Sequence, residues 1–483
     1  MKPILLIHGY SSEGNDISIE DIYGTLPGEL RSLFGDKNVQ ELNLSRWISL
    51  NDGVTLDDVS FAMERALREK FSRLLASGFH VIIHSTGALV VRNWIKNFSP
   101  KPCPINNLVH LAGANFGSGL AHIGQGQLAR WGRLIFMGTD RGYKILNELE
   151  FGSWKTLDLH KHFLLAGNDM YRDYQVQEFC IAGSQVPPLF RPIPIRYVKE
   201  DSSDNTVRTS AVNLNFNYLC VRPKPTAFGL TIPQLNELKE KRLQNLTFPE
   251  TNYEPEMLAL SEQRQTVPFT ITYETAHFGE DIGIVSGNKN RKIVMPLIKL
   301  ALETTYDPNA YKNVADKFEL ERQKTFDRVG KLKASVTEWN KQAQYEGHAQ
   351  LIFRLRDQFG NGIEHFDITL KSTSSNKNYT RLESMIEDHH TNTQCFGTIT
   401  FYLRTQKFDG DSQVWCNLLD SVGPVNIEIT AEEIQSQDIS FVPLNYQLTA
   451  NQVRNAIQSF RTTIIDVTLA RLPSPKVFAI KAV

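Results

Sequence analysis

The sequence predicts an α/β domain with a mostly parallel sheet, followed by an all-β domain, and three observations lead to this prediction. Short apolar runs alternate with helix-like segments between residues 1 and 305, which is typical of a parallel sheet covered by helices on both faces. From His348 onward apolar residues recur at every second position, as in strands with one buried face. The third observation is the apolar run Val81–Ile83, which meets the turn Ser85-Thr86-Gly87 and continues as a helix-like pattern.

The elements of the α/β domain follow from runs of apolar residues and their spacing. Helical periodicity from Leu56 to Leu75 predicts a helix, and Asp57 and Asp58 suit its first turn because carboxylates favour the positive end of the helix dipole. A further helix is predicted at Lys292–Glu303. The predicted buried strands are Ile4–Ile7, Asn38–Leu44, His80–Ile83, Asn107–Leu111 and Glu178–Ala182.

Two insertions interrupt this alternation, at about 117–174 and about 223–266. Insertions into such sheets form caps and lids over the carboxyl ends of the strands, so we assign both to residues 1–305. Residues 306–347 are rich in charged residues and are interpreted as an exposed helical connector. Residues 348–483 are predicted to form an antiparallel, immunoglobulin-like β-sandwich of roughly seven strands.

Composition narrows the range of partners and compartments. A formal net charge of −1 over 483 residues and a pI near 6.9 offer no basic surplus for nucleic acid. The five cysteines are scattered without C-x-x-C spacing, which favours a reducing compartment over a disulfide framework, and no histidine or cysteine group has the spacing of a metal site. The first residues lack a secretory pattern and no apolar run spans a bilayer, so the default prediction is cytoplasmic, with export by a specialised secretion system left open.

The turn at Ser85 has the pattern of a nucleophile elbow. A serine at a sharp strand-to-helix turn is pushed out of the sheet with Oγ exposed, and the amides at the start of the helix face the space beside it. Ile83 stands where such elbows usually carry a small residue, so we expect a wider crossing of strand and helix or a side chain turned away. His84 directly precedes Ser85, and because neighbours in a strand point to opposite faces, we expect its side chain to point away from Ser85 and pack behind the elbow.

Several segments of residues 1 to about 305 resemble α/β-hydrolases of the serine lipase/esterase kind, in particular lipases related to the GPI inositol-deacylases and small bacterial lipases. The resemblance does not extend to the C-terminal third. It is carried by five stretches: ILLIHGYSSEG, VIIHSTGALVVRNW, LVHLAGANFGSGLA, DSSDNTVRTSAVNL and TAHFGEDIGIV.

The resemblance implies a catalytic triad in the chain order Ser85, Asp204, His277. Ser85 would be the nucleophile, His277 the base, and Asp204 the carboxylate that holds the imidazole in one tautomer. Glu200 and Asp201 lie in the same loop as Asp204 and remain alternatives for the acid.

The oxyanion hole is predicted from the backbone N–H groups of Tyr10 and Thr86. Tyr10 follows His8-Gly9, where glycine lets the chain approach the substrate closely, and Thr86 directly follows the nucleophile.

The leading functional hypothesis is a carboxylic ester hydrolase that acts on acyl lipids through an acyl-enzyme, as a lipase, phospholipase or esterase, without metal or organic cofactor. The alternatives are an acyltransferase with the same triad and a non-catalytic binding protein that retains the fold. The expected partner is an acyl ester or lipid substrate, with transient membrane-surface contact through the lid or the β-sandwich, and no nucleic acid.

Overall fold

The computed structural model describes residues 2–8, 19–48, 51–119, 143–187, 200–244, 252–332 and 341–477. The chain forms two compact units. The first unit comprises Met1–Asn215, Ser261–Gly347 and Lys407–Cys416, and the second comprises Phe216–Leu260, His348–Gln406 and Asn417–Val483. The chain therefore leaves the first unit, contributes to the second and returns before it enters the C-terminal region.

The elements are numbered in chain order. The strands are β1 (Ile4–His8), β2 (Val39–Asn43), β3 (Phe79–His84), β4 (Ile105–Leu111), β5 (Gln177–Ala182), β6 (Asn217–Pro223), β7 (Tyr253–Ala259), β8 (Phe269–Ile271), β9 (Gly347–Asp357), β10 (His365–Ser372), β11 (Ile386–Thr391), β12 (Thr398–Asp409), β13 (Val414–Asn417), β14 (Val425–Glu432), β15 (Ile439–Phe441), β16 (Leu444–Leu448), β17 (Thr462–Leu469) and β18 (Arg471–Pro473). The helices are α1 (Ile19–Tyr23), α2 (Leu26–Phe34), α3 (Leu56–Lys70), α4 (Ser72–Ser77), α5 (Gly87–Phe98), α6 (Tyr143–Leu149), α7 (Trp154–His162), α8 (Thr209–Val212), α9 (Ile232–Leu243), α10 (Arg291–Glu303), α11 (Pro308–Gly330) and α12 (Ala450–Ala456).

The first unit is built on a six-stranded sheet with the order β2-β1-β3-β4-β5-β8. Every pair of neighbouring strands in it is parallel. The central strands are buried along nearly their whole length, which explains why they appear in the sequence as continuous apolar runs rather than as alternating patterns. The mostly parallel sheet expected from the sequence is confirmed, and all its strands end at the same edge, where ligands bind in open α/β sheets.

Alternate residues of each strand supply two separate cores on the two faces of this sheet. Ile83 belongs to the core that includes the buried residues of α3 and α5, whereas Ile82 belongs to the core that includes those of α10. Tyr311, Val314 and Phe318 of α11 complete the second core. The helix in the segment that the sequence predicts to be an exposed connector is therefore buried along one apolar face. Its many charged residues make this apolar face hard to recognise in the sequence.

The second unit is a β-sandwich of two sheets that share one core. One sheet has the order β10-β14-β15-β18 with β16 also paired to β14, and the other has the order β11-β12-β9-β17-β6-β7. Phe353 and Val467 of the second sheet lie in the same buried cluster as Ile427 and Ile429 of the first. The β-sandwich predicted from the period-two pattern is confirmed.

The sandwich differs from the sequence expectation in its strands and in their direction. β17 is parallel to both of its neighbours, β6 and β9, so the sheet is mixed rather than antiparallel. Residues 216–260, which contain β6 and β7 and include most of the expected second cap, group with the C-terminal strands. β6 pairs with a strand some 250 residues later in the chain, and such a pairing produces no local sequence pattern. A hairpin, in contrast, is indicated by the turn residues between its two strands.

A buried ion pair links two elements of the first unit. Arg92 of α5 donates a hydrogen bond to Glu178 of β5, and His110 Nε2 lies 3.2 Å from the same carboxylate. Burial alone would raise the pKa of Glu178, but the attraction of Arg92 and the contact with His110 outweigh it and lower the pKa to about 2. The ionised carboxylate is therefore part of the folded state at neutral pH.

We expect Glu178→Gln to lower the free energy of unfolding by roughly 3 kcal/mol at pH 7, because Arg92 would remain buried without its counter-charge. Since the folded-state pKa lies below the ordinary value of 4.5, the stabilisation should be fully present above that value and lost as the pH falls toward about 2. Urea unfolding across this pH range measures the difference between wild type and variant. The exposed Glu69→Gln is the control, with an expected change below about 0.5 kcal/mol; equal losses in both variants would contradict the prediction.

Candidate active site

Ser85 lies at the turn between β3 and α5 with a backbone φ of +53°, in the left-handed region. Its amide donates to the carbonyl of Leu111 at 3.2 Å, and its carbonyl accepts from the amides of Ala88 and Ala114 at 3.2 and 3.1 Å. A residue other than glycine or asparagine in this conformation is costly, and these backbone bonds from the neighbouring strand and helix hold it there. The side chain is thereby directed away from the sheet, as the sequence predicted for an elbow.

The crossing of β3 and α5 stays tight despite the isoleucine at position 83. Ile83 is fully buried in the core shared with α5, so its side chain is not turned away. A Cβ added to Gly87 would lie 3.3 Å from the Cβ of Ile83, closer than most such contacts in proteins. The space for the close crossing therefore comes from the missing side chain of Gly87 on the helix, instead of from a small residue at position 83 on the strand.

Asp204 is held by its own loop after β5. Its Oδ1 accepts hydrogen bonds from the amides of Thr206 and Val207 at 3.1 and 2.8 Å, and the side chain is completely buried. Hydrogen bonds from two amides to one oxygen fix the orientation of the carboxylate. The other oxygen, Oδ2, remains available to a partner on another loop.

His277 follows β8 and connects the two preceding residues. Its Nδ1 lies 2.9 Å from Asp204 Oδ2, and its Nε2 lies 3.0 Å from Ser85 Oγ. The imidazole is only 2% exposed. The structure thus brings the three side chains singled out in the sequence into one hydrogen-bonded row at the carboxyl edge of the sheet, from loops that follow β3, β5 and β8.

The remaining site residues from the sequence have different positions. Glu200 forms a double hydrogen bond with the buried guanidinium of Arg208 at 2.7 and 2.5 Å, so its carboxylate is engaged away from His277. The carboxylate in contact with the imidazole of His277 is that of Asp204. Thr86 directly precedes α5, and among the described residues its amide N–H donates to no acceptor. Tyr10 lies outside the described residues, as does 120–142 of the first expected cap.

His84 is a site residue whose contact the sequence analysis missed. Its Nε2 lies 3.2 Å from the main-chain carbonyl oxygen of His277, and the two imidazole rings are 4.5 Å apart between centroids. Burial, and secondarily the neighbouring His277, lower the pKa of His84 well below its usual range. The sequence predicts that this side chain packs behind the elbow, on the side opposite Ser85, whereas it contacts His277, which also contacts Ser85. That contact comes from a loop about 190 residues later in the chain, so no local pattern indicates it.

The described residues contain no group of three or more histidine, cysteine or acidic side chains that could hold a metal ion. Nor does any helix in these parts of the chain have the length and apolar character needed to cross a membrane.

Two structures of the phospholipase PlaB from Legionella pneumophila, one of them in complex with thio-NAD, are similar to this chain over its whole length. Each has a TM-score of 0.77 and 21% sequence identity, and the match covers 100% of this chain and 96% of PlaB. This chain shares the fold of PlaB. A mature Bacillus licheniformis lipase, BlEst2, matches 44% of the chain at a TM-score of 0.32, which is too partial to inform the fold. No protein-family model matches the chain, and no curated protein sequence does.

The similarity to PlaB extends through both units, including the sandwich that the sequence resemblance did not cover. The predicted fold class, an α/β unit with a mostly parallel sheet together with a β-sandwich that contains the C-terminal strands, is thereby confirmed. At 21% identity the likeness to PlaB concerns the path of the backbone alone.

Gly183 lets the loop after β5 pass against the segment that carries His277. A Cβ at this position would lie 2.3 Å from the carbonyl oxygen of Thr275 and 3.2 Å from the Cβ of Asp204. The same carbonyl accepts the amides of Ser184 and Gln185, both at 3.1 Å. The loops of Asp204 and His277 are therefore packed backbone to backbone, and the distance between them depends on this glycine.

We expect Gly183→Ala to lower the free energy of unfolding by roughly 1–3 kcal/mol, because the methyl group would collide with backbone rather than with a flexible side chain. Gly28→Ala in α2 is the matched control, since an added Cβ there has no neighbour within 4 Å and alanine favours helix. Calorimetric unfolding of both variants measures the change. The interpretation would be wrong if the two alanine variants unfolded at the same temperature as each other.

Proposed function

We propose that this protein is a carboxylic ester hydrolase that acts on acyl lipids, with Ser85 as nucleophile, His277 as base and Asp204 as the orienting acid. The observation that carries the proposal is the continuous row of hydrogen bonds from Ser85 Oγ through His277 to Asp204, at 3.0 and 2.9 Å. These distances fall within the range at which a proton passes between a nucleophile and its base. The same row of side chains is the arrangement by which serine hydrolases are recognised irrespective of their sequence.

In the first half of the proposed reaction, Ser85 Oγ attacks the carbonyl carbon of the ester while its proton passes to His277 Nε2. Asp204, bound to Nδ1–H, stabilises the imidazolium that results. The tetrahedral intermediate collapses as the bond to the leaving alcohol breaks, and the imidazolium gives its proton to that alcohol. The acyl group remains on Ser85 as an ester.

In the second half, water replaces the alcohol. His277 takes a proton from the water as its oxygen attacks the acyl carbon, and the imidazolium then returns a proton to Ser85 Oγ as the fatty acid leaves. The enzyme is restored with no net change in its own protonation.

The negative charge on the tetrahedral intermediate would be stabilised by the Thr86 amide, with the Tyr10 amide as the second proposed donor. Thr86 stands at the amino end of α5, where amide groups and the helix dipole favour an anion. Each donor of an oxyanion hole is worth on the order of 10²- to 10³-fold in rate, because it is already oriented before charge develops.

A lipid substrate is supported by the fold shared with PlaB, which is a phospholipase. The sequence resemblance to lipases in the first unit points to the same class of ester. These two observations support the lipid class of substrate.

We expect Ser85→Ala to lower kcat for a phospholipid or a nitrophenyl ester by roughly 10⁶-fold, because the nucleophile and base act as a unit. Asp204→Asn should lower kcat by about 10⁴-fold, since an amide no longer fixes the required tautomer of His277. Asp201→Asn is the matched control for the same loop and should retain activity within about threefold. Initial rates on nitrophenyl esters and on phosphatidylcholine vesicles measure these changes.

The proposal fails if Ser85→Ala hydrolyses the ester at close to the wild-type rate. If Asp201→Asn instead of Asp204→Asn abolished hydrolysis, the nucleophile would stand and the assignment of the acid would be wrong.

A further inference from the structure

His277 is bonded through its main chain as well as through its imidazole. Its amide N–H donates to the carbonyl oxygen of Asp204 at 3.0 Å, and its carbonyl oxygen lies 3.2 Å from His84 Nε2. The amide of the proposed base is therefore hydrogen-bonded to Asp204, the proposed acid. Its carbonyl is in contact with His84, which directly precedes the proposed nucleophile.

The position of His84 follows from the two faces of β3. Ile83 packs toward α5, so its neighbours Ile82 and His84 face the opposite side of the sheet. Beyond His277 the chain turns back, and Ile284 and Val285 pack into the same core as Ile82. The segment that carries His277 is thereby laid across the end of β3, over the side chain of His84.

Backbone hydrogen bonds close the segment that carries His277 into a loop. The amide of Ala276 donates to the carbonyl of Ile282, and the amide of Ile284 donates back to Ala276, both at 2.8 Å. Asn290 donates to the carbonyl of Ile282 at 2.9 Å from the start of α10. The contact of His84 Nε2 with the carbonyl of His277 holds the same loop at the residue next to Ser85.

The protonation state of His84 suits it as a donor to a carbonyl. Because burial keeps its pKa well below the usual range, the imidazole is neutral at pH 7 and carries a single N–H. A carbonyl oxygen only accepts, so the bond requires that this proton be on Nε2. A neutral ring also places no second positive charge beside His277 when that imidazole becomes protonated during the reaction.

We propose that His84 is a positioning residue for the base, which it holds at hydrogen-bond distance from Ser85 by donating Nε2–H to the main-chain carbonyl of His277 and by packing its ring against the imidazole. The inference rests on the proposed function of Ser85 and His277. It assigns to the histidine of the elbow a role that is distinct from that of the nucleophile and that involves no contact with substrate.

This role predicts a specific kinetic signature. An error of about 1 Å in the placement of a catalytic group can cost on the order of 10²-fold in rate. Because His84 acts on the base through its main chain, its loss should lower kcat while KM stays within about twofold. A general loss of folding would instead lower the active fraction and the unfolding temperature together.

The test compares three substitutions at one position. Glutamine carries an N–H at nearly the same reach as Nε2, asparagine carries the same group one methylene shorter, and methionine has the length of glutamine without a donor. We expect His84→Gln to retain kcat within about threefold, and both His84→Asn and His84→Met to lose roughly 10- to 100-fold in kcat with nearly unchanged KM. The assay is steady-state hydrolysis of nitrophenyl butyrate, with unfolding temperatures measured on the same preparations.

His80→Gln and His80→Met are the matched controls. His80 is a buried histidine on the same strand, and burial lowers its pKa to about 4, but it lies four residues from His84 toward the amino end of β3. Neither control variant should change kcat beyond about threefold.

The inference is overturned if His84→Met and His84→Asn keep wild-type kcat, or if His84→Gln loses as much as they do, since the donated hydrogen bond would then have no effect on rate. It is also overturned if the loss appears in KM alone. These outcomes leave the proposed function intact as long as wild type hydrolyses the ester and Ser85→Ala does not. Absence of hydrolysis in the wild type would instead contradict the proposed function itself.

Discussion

The arrangement at the carboxyl edge of the parallel sheet depends on one interaction, the hydrogen bond between His277 Nε2 and Ser85 Oγ at 3.0 Å. The two residues are far apart in the chain and belong to loops that follow β3 and β8, which are not neighbours in the sheet. Parallel pairing makes their meeting possible, because it places the ends of all six strands at the same edge. Everything else in the site determines how accurately the two side chains are held.

That accuracy comes mainly from backbone contacts between the loops. The loop of Asp204 is fixed by amide bonds to its own carboxylate, and Gly183 allows the preceding turn to touch the carbonyl of Thr275. Main-chain groups have fewer accessible conformations than long side chains once their neighbours are packed. Contacts between main-chain groups therefore hold the catalytic side chains in position more precisely. Below this edge, the ion pair of Arg92 and Glu178 connects α5 to β5 within the buried part of the unit.

Sequence reasoning recovered the features that are local or ordered along the chain. The strands at Ile4, Val81 and Glu178 could be predicted because buried parallel strands are short, continuous apolar runs. Ser85, Asp204 and His277 could be chosen because their order along the chain matches a known family, and the structure brings them within hydrogen-bond distance. The position of Tyr10 remains a prediction, since that residue lies outside the described parts of the chain.

The features that sequence reasoning missed depend on contacts between distant segments. Nothing near Asn217–Pro223 indicates that this strand pairs in parallel with Thr462–Leu469, so the sequence predicts a cap at about 223–266, whereas residues 216–260 group with the C-terminal strands. In the same way the sequence predicts that α11 is exposed, because its charged residues outnumber the few apolar residues that are buried against the first unit. The contact of His84 with His277 required knowing on which face of β3 the returning loop lies.

The central claim is that the hydroxyl of Ser85 is activated by His277, and covalent labelling tests it most directly. A fluorophosphonate reacts with an activated serine, and peptide mapping by mass spectrometry locates the adduct. We expect one adduct per chain on Ser85 in the folded wild type, and loss of that adduct in His277→Ala. An adduct on another residue, or labelling of Ser85 at the same rate in His277→Ala, would contradict it.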